Sequence, residues 1–397
     1  MRSGIPITFH LLAKPTGARC NLECKYCFYR SKSDLYPESR FRMSNEVLET
    51  YTRQLIEIQM IGDVTFSWQG GEPTLMGLDF FKNAVEMQER YRKPGMTVNN
   101  TIQTNGVLLD DEWCSFLAEH NFLVGISIDG PAELHDANRL DAAGHGSHRK
   151  VMRGLRLLQK HGVEVNALTT VNSANGDHPI EVYEFLRDEA ELQFIQLIPI
   201  VERNPRKKGS VMKGSITPDE WGDFLIAVFD EWVRTDVGMT YVQMFDEALA
   251  HWVGMPPAMC IFSPTCGAAP ILEHNGDVYS CDHFVDPSHL LGNIMESEMI
   301  DILSSDKQVE FGREKQVRLP KQCRDCEVLF ACHGGCPKNR LRNSEEDGKS
   351  LNYLCEGYKA FFHHIDEPMG FMANELKHDR APSNVMEYMR NLELRRR

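Results

Sequence analysis

The sequence predicts an α/β protein built on a partial (β/α)6 TIM-like barrel and followed by a small cysteine-rich domain. Three observations support this fold class. Six short apolar runs of strand length alternate with amphipathic stretches of helical length. Glycine and polar motifs follow the early runs, where parallel strands present their carboxyl ends. Eight of the twelve cysteines lie after residue 259.

The predicted strands are short, apolar and bounded by turn residues. They are Ile7–Leu12, Val64–Trp68, Val98–Gln103, Phe122–Ile128, Val163–Thr170 and Leu192–Ile200. The predicted helices between them are Asn45–Met60, Leu78–Tyr91, Asp110–His120, His148–His161 and Ile180–Glu189, several of them opened by Ser, Asp or Asn. Strands joined by helical crossovers form a parallel sheet with right-handed connections. Six units are too few to close an eight-stranded barrel, so a partial barrel is expected.

The organisation of the chain follows from these patterns. We expect the barrel over residues 1–240, a bridging segment over 241–259, the cysteine-rich domain over 260–360 and a tail over 361–397. No apolar stretch approaches the ~20 residues of a membrane span, and the N-terminus lacks the apolar run of a signal peptide. A cytoplasmic protein without a membrane partner is therefore expected. Its cysteines should be metal ligands rather than disulfides, because the cytosol keeps thiols reduced.

The composition also bears on the substrate. A chain of 397 residues with 42% hydrophobic content can bury a large core. Its formal net charge of −14 disfavours nucleic acid as a partner, because neutralising phosphates needs a basic surface. A neutral or cationic substrate suits this charge better.

The first cysteine group follows the first predicted strand. Cys20, Cys24 and Cys27 supply three thiolates, whereas a [4Fe–4S] cluster is held by four, so one iron would stay open. A zinc knuckle or a redox pair is the alternative, although zinc sites usually consist of two separated C-x2-C pairs. The C-x3-C-x2-C spacing, with Phe28-Tyr29 after it, resembles the radical S-adenosylmethionine (SAM) superfamily. That resemblance implies that SAM binds the open iron and supplies a radical for hydrogen abstraction.

Three further motifs follow predicted strands two, three and four. They are GGEP at residues 70–73, QTNG at 103–106 and SIDG at 127–130. A single glycine motif such as GGEP could be only a tight turn. All three nevertheless fall on the face where α/β barrels assemble their active sites, which favours a shared function.

The superfamily resemblance assigns roles to five of the residues near these strand ends. Gly70, Gly71 and Glu72 match a motif that presents backbone to the amino group of SAM. Ser127 and Arg139 resemble positions that hold the ribose and the carboxylate of SAM, and a guanidinium fork suits a carboxylate. The alternative for Arg139 is a surface ion pair.

The second cysteine group contains enough ligands for two closed cubane clusters. Its members are Cys260, Cys266, Cys281, Cys323, Cys326, Cys332, Cys336 and Cys355, which leaves Cys114 as a core residue of a predicted helix. The layout resembles the SPASM domain, which carries two auxiliary [4Fe–4S] clusters. By that resemblance, Cys260, Cys266, Cys281 and Cys336 hold the first cluster, and Cys323, Cys326, Cys332 and Cys355 hold the second. Structural zinc is the alternative.

Asp282 is the candidate base. Two apolar runs flank Asn275-Gly276, which predicts a hairpin with Asp282 and Cys281 on its second strand. Neighbouring side chains on a strand point to opposite faces, so the carboxylate should lie near a cluster without ligating it. Such a carboxylate could accept a proton from a substrate. A capping or turn aspartate is the alternative.

The whole pattern resembles the anaerobic sulfatase-maturating enzymes. The resemblance rests on CNLECKYCFY, FSWQGGEPTL, IQTNGVLLD, FLVGISIDGP, CDHF, CHGGCPKNR and the SPASM cysteines. It implies oxidation of a cysteine or serine in a C/S-x-P/A-x-R motif of a sulfatase to Cα-formylglycine, with three [4Fe–4S] clusters and a donor such as flavodoxin or ferredoxin. Asp282 matches the family's proposed base, and Gln69 and Tyr29 match positions of the substrate pocket.

The sequence departs from this family near Gln196–Arg203 and after about His364. Two other functions remain open at this point. One is a SPASM enzyme that introduces a crosslink, a thioether or an epimer into a ribosomally made peptide. The other is a zinc-dependent binding or scaffold protein.

Overall fold

The structure is a computed structural model that describes residues 11–60, 62–207 and 209–396. Its strands are β1 (Leu12–Lys14), β2 (Asp63–Trp68), β3 (Thr97–Thr104), β4 (Leu123–Ser127), β5 (Val165–Val171), β6 (Phe194–Pro199), β7 (Tyr241–Val242), β8 (Ile271–Glu273), β9 (Asp277–Tyr279), β10 (Leu290–Asn293), β11 (Arg340–Asn343) and β12 (Ser350–Asn352). In the described residues, no helix is both long enough and apolar enough to cross a membrane.

The helices are α1 (Asn45–Ile58), α2 (Leu78–Tyr91), α3 (Asp111–Glu119), α4 (Ala132–Asp136), α5 (His148–Lys160), α6 (Pro179–Glu184), α7 (Pro218–Thr235), α8 (Gln243–Trp252), α9 (Met299–Leu303), α10 (Asp306–Val317), α11 (Lys321–Arg324), α12 (Leu329–Cys332), α13 (Cys355–His364), α14 (Asp366–Lys377) and α15 (Val385–Arg396). Short 3-10 turns occur at Arg30–Leu35, Pro73–Met76, Cys260–Phe262, Pro287–His289, Pro337–Asn339 and Pro382–Asn384. A π turn at Phe185–Glu189 continues α6.

The chain divides into two compact units. Within the described residues, the first unit comprises 11–127, 139–165 and 265–314, and the second comprises 128–138, 166–264 and 315–396. The predicted strands and helices beyond the first strand are present, with bounds close to those expected. Of the first predicted strand, residues Ile7–His10 lie outside the described residues, and β1 begins at Leu12.

The sheet of the first unit has the strand order β10-β9-β8-β1-β2-β3-β4. Strands β1 to β4 are parallel, as the helical crossovers require. The cap residues predicted from the sequence are formed: Ser44 Oγ accepts from Val47 N at 3.2 Å and Asp110 Oδ1 accepts from Trp113 N at 2.9 Å. The sequence therefore determines locally where α1 and α3 begin.

The end of β2 is anchored in the core of the first unit. Trp68 is 1% exposed, and its indole N–H donates to Asn100 Oδ1 at 2.9 Å, so its one polar atom is satisfied. The rings of Tyr51 and Phe81 pack against it edge-on. This packing fixes the point from which Gln69 and the GGE motif leave the strand.

The predicted hairpin is confirmed, with β8 and β9 antiparallel around Asn275-Gly276. Gly276 has a φ of +95°, which favours glycine. The unexpected feature is the partner of β8, which pairs in parallel with β1 so that Lys14 faces Glu273 in register. The placement of Asp282 on the second strand is wrong, because β9 ends at Tyr279 and Asp282 lies in the turn beyond it.

The second unit contains the parallel strands β5, β6 and β7 and the antiparallel pair β11 and β12. Helix α7 begins with a complete capping box between Thr217 and Glu220. A Cβ added to Gly222 of α7 would lie 2.9 Å from Gly357 Cα of α13, so these helices pack closely through glycine.

The tail at 361–397 is helical in its described part. It forms the end of α13, then α14 and α15, and the rings of Phe371 and Tyr388 stack with centroids 4.3 Å apart. Arg234 of α7 pairs with Glu393 of α15 at 2.7 Å. The ring of Phe361 also stacks on Phe245 of α8, so ionic and apolar contacts join the tail to the helices α7 and α8.

Candidate active site

The three cysteines of the first group occupy the loop that follows β1. Cys20 and Cys27 are exposed and Cys24 is half-buried. The backbone N–H of Leu22 donates to Cys20 Sγ at 3.3 Å, and Cys27 N donates to Cys24 O at 3.1 Å. Desolvation, followed by the charges of Glu72, Cys24 and Cys27, raises the pKa of Cys20 to about 12. The three thiols occupy one short loop, and an iron centre there would offset the mutual repulsion of their thiolates.

The GGE motif is packed against this loop. Gly71 N donates to Gly17 O at 2.8 Å and Glu72 N donates to Arg19 O at 2.9 Å. A Cβ added to Gly71 would lie 2.0 Å from Arg19 O, and one added to Gly70 would lie 2.9 Å from Gly17 O. The glycines are therefore needed for the close approach of two backbones, and this approach positions the segment that enters Cys20.

The Glu72 carboxylate lies at the centre of the strand ends. It is 1% exposed and accepts from Thr74 N at 3.1 Å, Thr74 Oγ1 at 2.6 Å, Thr104 Oγ1 at 2.7 Å and Asn105 N at 2.8 Å. Burial raises its pKa, and the hydrogen bonds oppose that shift. Four protein donors occupy this side chain, so it joins the ends of β2 and β3. The predicted contact with SAM would come from the backbone here.

Asn105 is a site residue that the sequence interpretation missed. Its Nδ2 donates to Asn21 Oδ1 at 2.7 Å and lies 3.7 Å from Cys20 Sγ. An amide donor near a ligating sulfur can tune an iron–sulfur cluster. Its position in the QTNG motif after strand three was the available signal.

Ser127 and Arg139 lie in the same unit. Gln103 Nε2 donates to Ser127 Oγ at 3.0 Å, and a Cβ on Gly125 would lie 2.1 Å from Gln103 Oε1. Arg139 is 6% exposed, with its guanidinium carbon 5.6 Å from the centroid of the Tyr26 ring. Arg139 is therefore buried rather than a surface residue, and its contact with the SAM carboxylate stays a prediction.

Asp282 forms a partly buried ion pair with Lys14. Its Oδ1 lies 2.6 Å from Lys14 Nζ, and the side chains are 19% and 2% exposed. Lys14 Nζ also donates to Gln69 Oε1 at 2.7 Å and lies 4.4 Å from the centroid of the Tyr29 ring. Three predicted site residues from separate segments thus meet at one lysine, which the sequence interpretation missed.

The hydroxyl of Tyr29 is directed away from this lysine. It donates to Glu273 Oε1, and Glu273 Oε2 lies 3.0 Å from His274 Nδ1. Burial, followed by the charges of Glu273 and Asp282, raises the pKa of Tyr29 well above its usual range. Tyr29 therefore stays protonated and offers the site its ring face, while its hydroxyl supports Glu273.

Four cysteines of the second group are gathered in the second unit. Desolvation and the charges of Cys323 and Cys326 raise the pKa of Cys332 to about 12. Desolvation also raises the pKa of Cys355 to about 12, together with the charges of Cys332, Glu356, Cys323 and Cys326. Cys323 packs in an apolar cluster with neighbouring leucines. These four thiols are close enough for their charges to act on one another, and their sharing of one cluster stays a prediction.

The buried amide nitrogen Nδ2 of Asn352 has no hydrogen-bond partner in the described residues. A Cβ on Gly335 would lie 2.2 Å from this nitrogen, which places it beside the Cys332–Cys336 segment. A cluster sulfur is an acceptor that would satisfy it. The donor sets of both units therefore fit iron–sulfur clusters. In the described residues, no three His, Cys, Asp or Glu side chains lie close enough together to hold a metal ion.

The other predicted cluster ligands are distributed over both units. Cys266 and Cys281 belong to the first unit, and Cys260 and Cys336 belong to the second. Their common cluster stays a prediction. Cys114 is fully buried, as expected for a core residue.

Family models and relatives agree with these observations. The radical SAM superfamily matches residues 15–186, and an iron–sulfur cluster-binding SPASM domain matches residues 266–327. A serine-type anaerobic sulfatase-maturating enzyme of Bacteroides thetaiotaomicron is 44% identical over 96% of this chain and 95% of its own length. A cysteine-type anaerobic sulfatase-maturating enzyme of Clostridium perfringens is 35% identical over 92% of this chain and 99% of its own length.

A solved structure described as native anSMEcpe with bound AdoMet and Cp18Cys peptide has a TM-score of 0.84 and 34% identity. The match covers 92% of this chain and 99% of that chain. The predicted fold class, a partial α/β barrel with a SPASM domain, is confirmed. SAM and iron–sulfur clusters are the cofactors of this fold.

Proposed function

The chain belongs to the anaerobic sulfatase-maturating enzymes, radical SAM oxidoreductases that generate formylglycine, and we propose which substrate and residues its own reaction uses. The substrate is a sulfatase or its peptide with a C/S-x-P/A-x-R motif, whose cysteine or serine becomes Cα-formylglycine. The observation that carries this proposal is the Asp282 carboxylate, paired with Lys14 and adjacent in sequence to the cluster ligand Cys281.

In the proposed reaction, the cysteines and the residues at the strand ends bind the cofactors. Cys20, Cys24 and Cys27 would hold the open cluster, and the cofactors together supply hydrogen-atom abstraction at Cβ and uptake of one electron. The backbone of Gly70, Gly71 and Glu72, with Ser127 and Arg139, would hold SAM. The two auxiliary clusters would use the eight cysteines assigned above.

In the proposed reaction, Asp282 accepts the proton of the substrate thiol or hydroxyl. Its side chain is partly exposed, so a substrate atom can reach it, while Lys14 holds one carboxylate oxygen from the buried side. Loss of a Cβ hydrogen atom, this proton and one electron converts serine to the aldehyde. Cysteine gives a thioaldehyde, which water hydrolyses to the aldehyde with release of hydrogen sulfide. The atoms and charges balance in both cases.

Three further expectations belong to this proposal. A low-potential donor such as flavodoxin or ferredoxin would supply the electron for SAM cleavage. A cytoplasmic location is supported by the eleven predicted ligands, which must stay reduced thiols. We assign boundaries near residues 240, 260 and 360 to the functional segments. The compact units divide the chain differently, because residues 265–314 belong to the first unit.

The test uses anaerobically reconstituted protein with SAM, a reductant and two peptides. One peptide carries Cys-x-Pro-x-Arg and the other has serine at the first position. We expect an aldehyde that reacts with a hydrazide on at least one of them, in step with 5′-deoxyadenosine. A crosslinked, thioether-bearing or epimerised peptide without an aldehyde would replace this function by that of a peptide-modifying SPASM enzyme.

A further inference from the structure

Lys14 is a buried cation whose partners are all site residues. Its side chain is 2% exposed, and burial of an ammonium is costly unless its charge and its donors are satisfied. An ammonium has three N–H donors, and here it contacts one carboxylate, one amide oxygen and one ring face. The lysine is therefore stabilised by the groups that the proposed reaction uses.

Strand pairing determines the position of the Lys14 side chain. Lys14 is the last residue of β1, between β2, which leads to Gln69, and β8, which begins the hairpin leading to Asp282. A Cβ added to Gly70 would lie 3.3 Å from Lys14 Cδ, so the glycine leaves room for the lysine stem. Strand pairing on both sides of β1 thus directs the ammonium to the point where these segments meet.

The contact also distinguishes the two oxygens of Asp282. Oδ1 is buried and pairs ionically with Lys14 Nζ at 2.6 Å, without the geometry of a hydrogen bond. The side chain as a whole is 19% exposed, which leaves Oδ2 as the oxygen for a substrate proton. A carboxylate held by one oxygen has a defined direction for the other, which proton transfer requires.

The same lysine determines the orientation of the Gln69 side-chain amide. Lysine has no acceptor, so only the amide oxygen of glutamine can face it. The assignment of oxygen and nitrogen in this amide therefore follows from its partner. Nε2, a donor, is then directed away from Lys14.

We propose that Lys14 is a positioning residue of the reaction, which orients Asp282 Oδ2 as an acceptor and Gln69 Nε2 as a donor toward the substrate. This inference rests on the proposed function and goes beyond it, because Lys14 itself exchanges no proton with the substrate. Its ammonium also compensates the Asp282 carboxylate, beside the proposed cluster ligand Cys281.

The experiment compares Lys14→Ala and Lys14→Met with the unmodified protein, each checked for full iron content. The measured quantity is formylglycine formed per 5′-deoxyadenosine. We expect this ratio to fall by about 10- to 100-fold in both variants, the range seen when a partner that orients a reactive group is removed. Lys82→Met, at an exposed lysine of α2, is the matched control and should keep the original ratio.

Propylammonium provides the readout that a merely structural lysine would not give. It replaces the atoms removed in Lys14→Ala, so it should restore part of the ratio there. It should not do so in Lys14→Met, where the new side chain fills the space, and propanol should restore neither. An unchanged ratio in Lys14→Met, or equal recovery with propanol and propylammonium, would overturn the proposal.

Two outcomes separate this inference from its premise. If the unmodified protein forms no aldehyde on either peptide, the proposed function and the role of Lys14 both fall. If the unmodified protein forms the aldehyde and the Lys14 variants give the same product ratio, only the role of Lys14 is disproved. Should Lys14→Met lose iron, Lys14→Arg takes its place, because its wider fork displaces the carboxylate, and an unchanged ratio there overturns the proposal.

Discussion

The three thiols of the loop after β1 and the four thiols Cys323, Cys326, Cys332 and Cys355 of the second unit have different surroundings. Cys20 and Cys27 are exposed in a loop, with backbone groups and one amide around them. Cys323 and Cys355, in contrast, lie in or at the start of short helices and adjoin an apolar cluster with Leu319 and Leu351. An open cluster needs access for a small molecule, whereas a closed cluster needs only to exchange electrons or to brace the fold. These surroundings are what the proposal needs of an open cluster in the loop and of a closed auxiliary cluster in the second unit.

The largest effect is expected from removal of the loop thiols. Replacing Cys20, Cys24 and Cys27 together by Ala should abolish SAM cleavage and formylglycine formation. Iron should fall by about a third, because one of three predicted clusters is lost. Iron analysis with a 5′-deoxyadenosine assay checks this. A loss of iron far from a third would show that the eleven ligands are divided differently.

These four thiols of the second unit should behave differently. Replacing Cys326 and Cys355 by Ala should stop formylglycine formation and leave SAM cleavage measurable, because the loop cluster keeps its ligands. Circular dichroism must first show that the helices of the second unit remain. Normal formylglycine yield in a folded variant that lacks this iron would assign the cluster no part in turnover.

Most of the cofactor face could be predicted from the sequence because its residues occur in short motifs after strands. The cysteine loop, the GGE turn and Ser127 each lie within a few residues of the strand that positions them. Asp282 could be found by its neighbour Cys281, although its place on a strand was wrong because β9 ends early.

Lys14 could not be assigned in the same way, and the QTNG motif included Asn105 without indicating its contact. Lys14 acquires its role only when β8, from a distant part of the chain, pairs with β1 and brings the turn of Asp282 to it. No local pattern encodes that pairing. The Asn105 contact with the cysteine loop likewise depends on two separate strand ends.

A smaller effect is expected where the GGE motif meets the cysteine loop. Gly71→Ala would place a Cβ 2.0 Å from Arg19 O, so one backbone must move. Overpacking of this kind costs about 1–3 kcal/mol, and SAM affinity should fall with it. Gly370→Ala is the matched control, because nothing lies within 4 Å of its added Cβ in α14. Equal SAM affinity in both variants would show that the close approach does not support the cofactor site.

The smallest effect concerns the peptide. The chain is acidic, with a net charge of −14, and the proposed motif ends in arginine. Changing that arginine to Ala should weaken peptide binding at low salt, and added salt should narrow the difference because exposed ion pairs are screened. Binding isotherms at two salt concentrations measure this. Equal affinity of the two peptides at low salt would show that no carboxylate of this chain pairs with the arginine.

The most direct test of the central claim separates proton removal from radical formation at Asp282. Asp282→Asn keeps the size of the side chain and cannot accept the proton as a carboxylate does. With full iron demonstrated, formylglycine turnover should fall by ~10²-fold or more, the typical contribution of a positioned general base. Formation of 5′-deoxyadenosine should continue, so the measured ratio of the two products falls. A ratio near that of the unmodified protein would contradict the account and make Asp282 a structural turn residue.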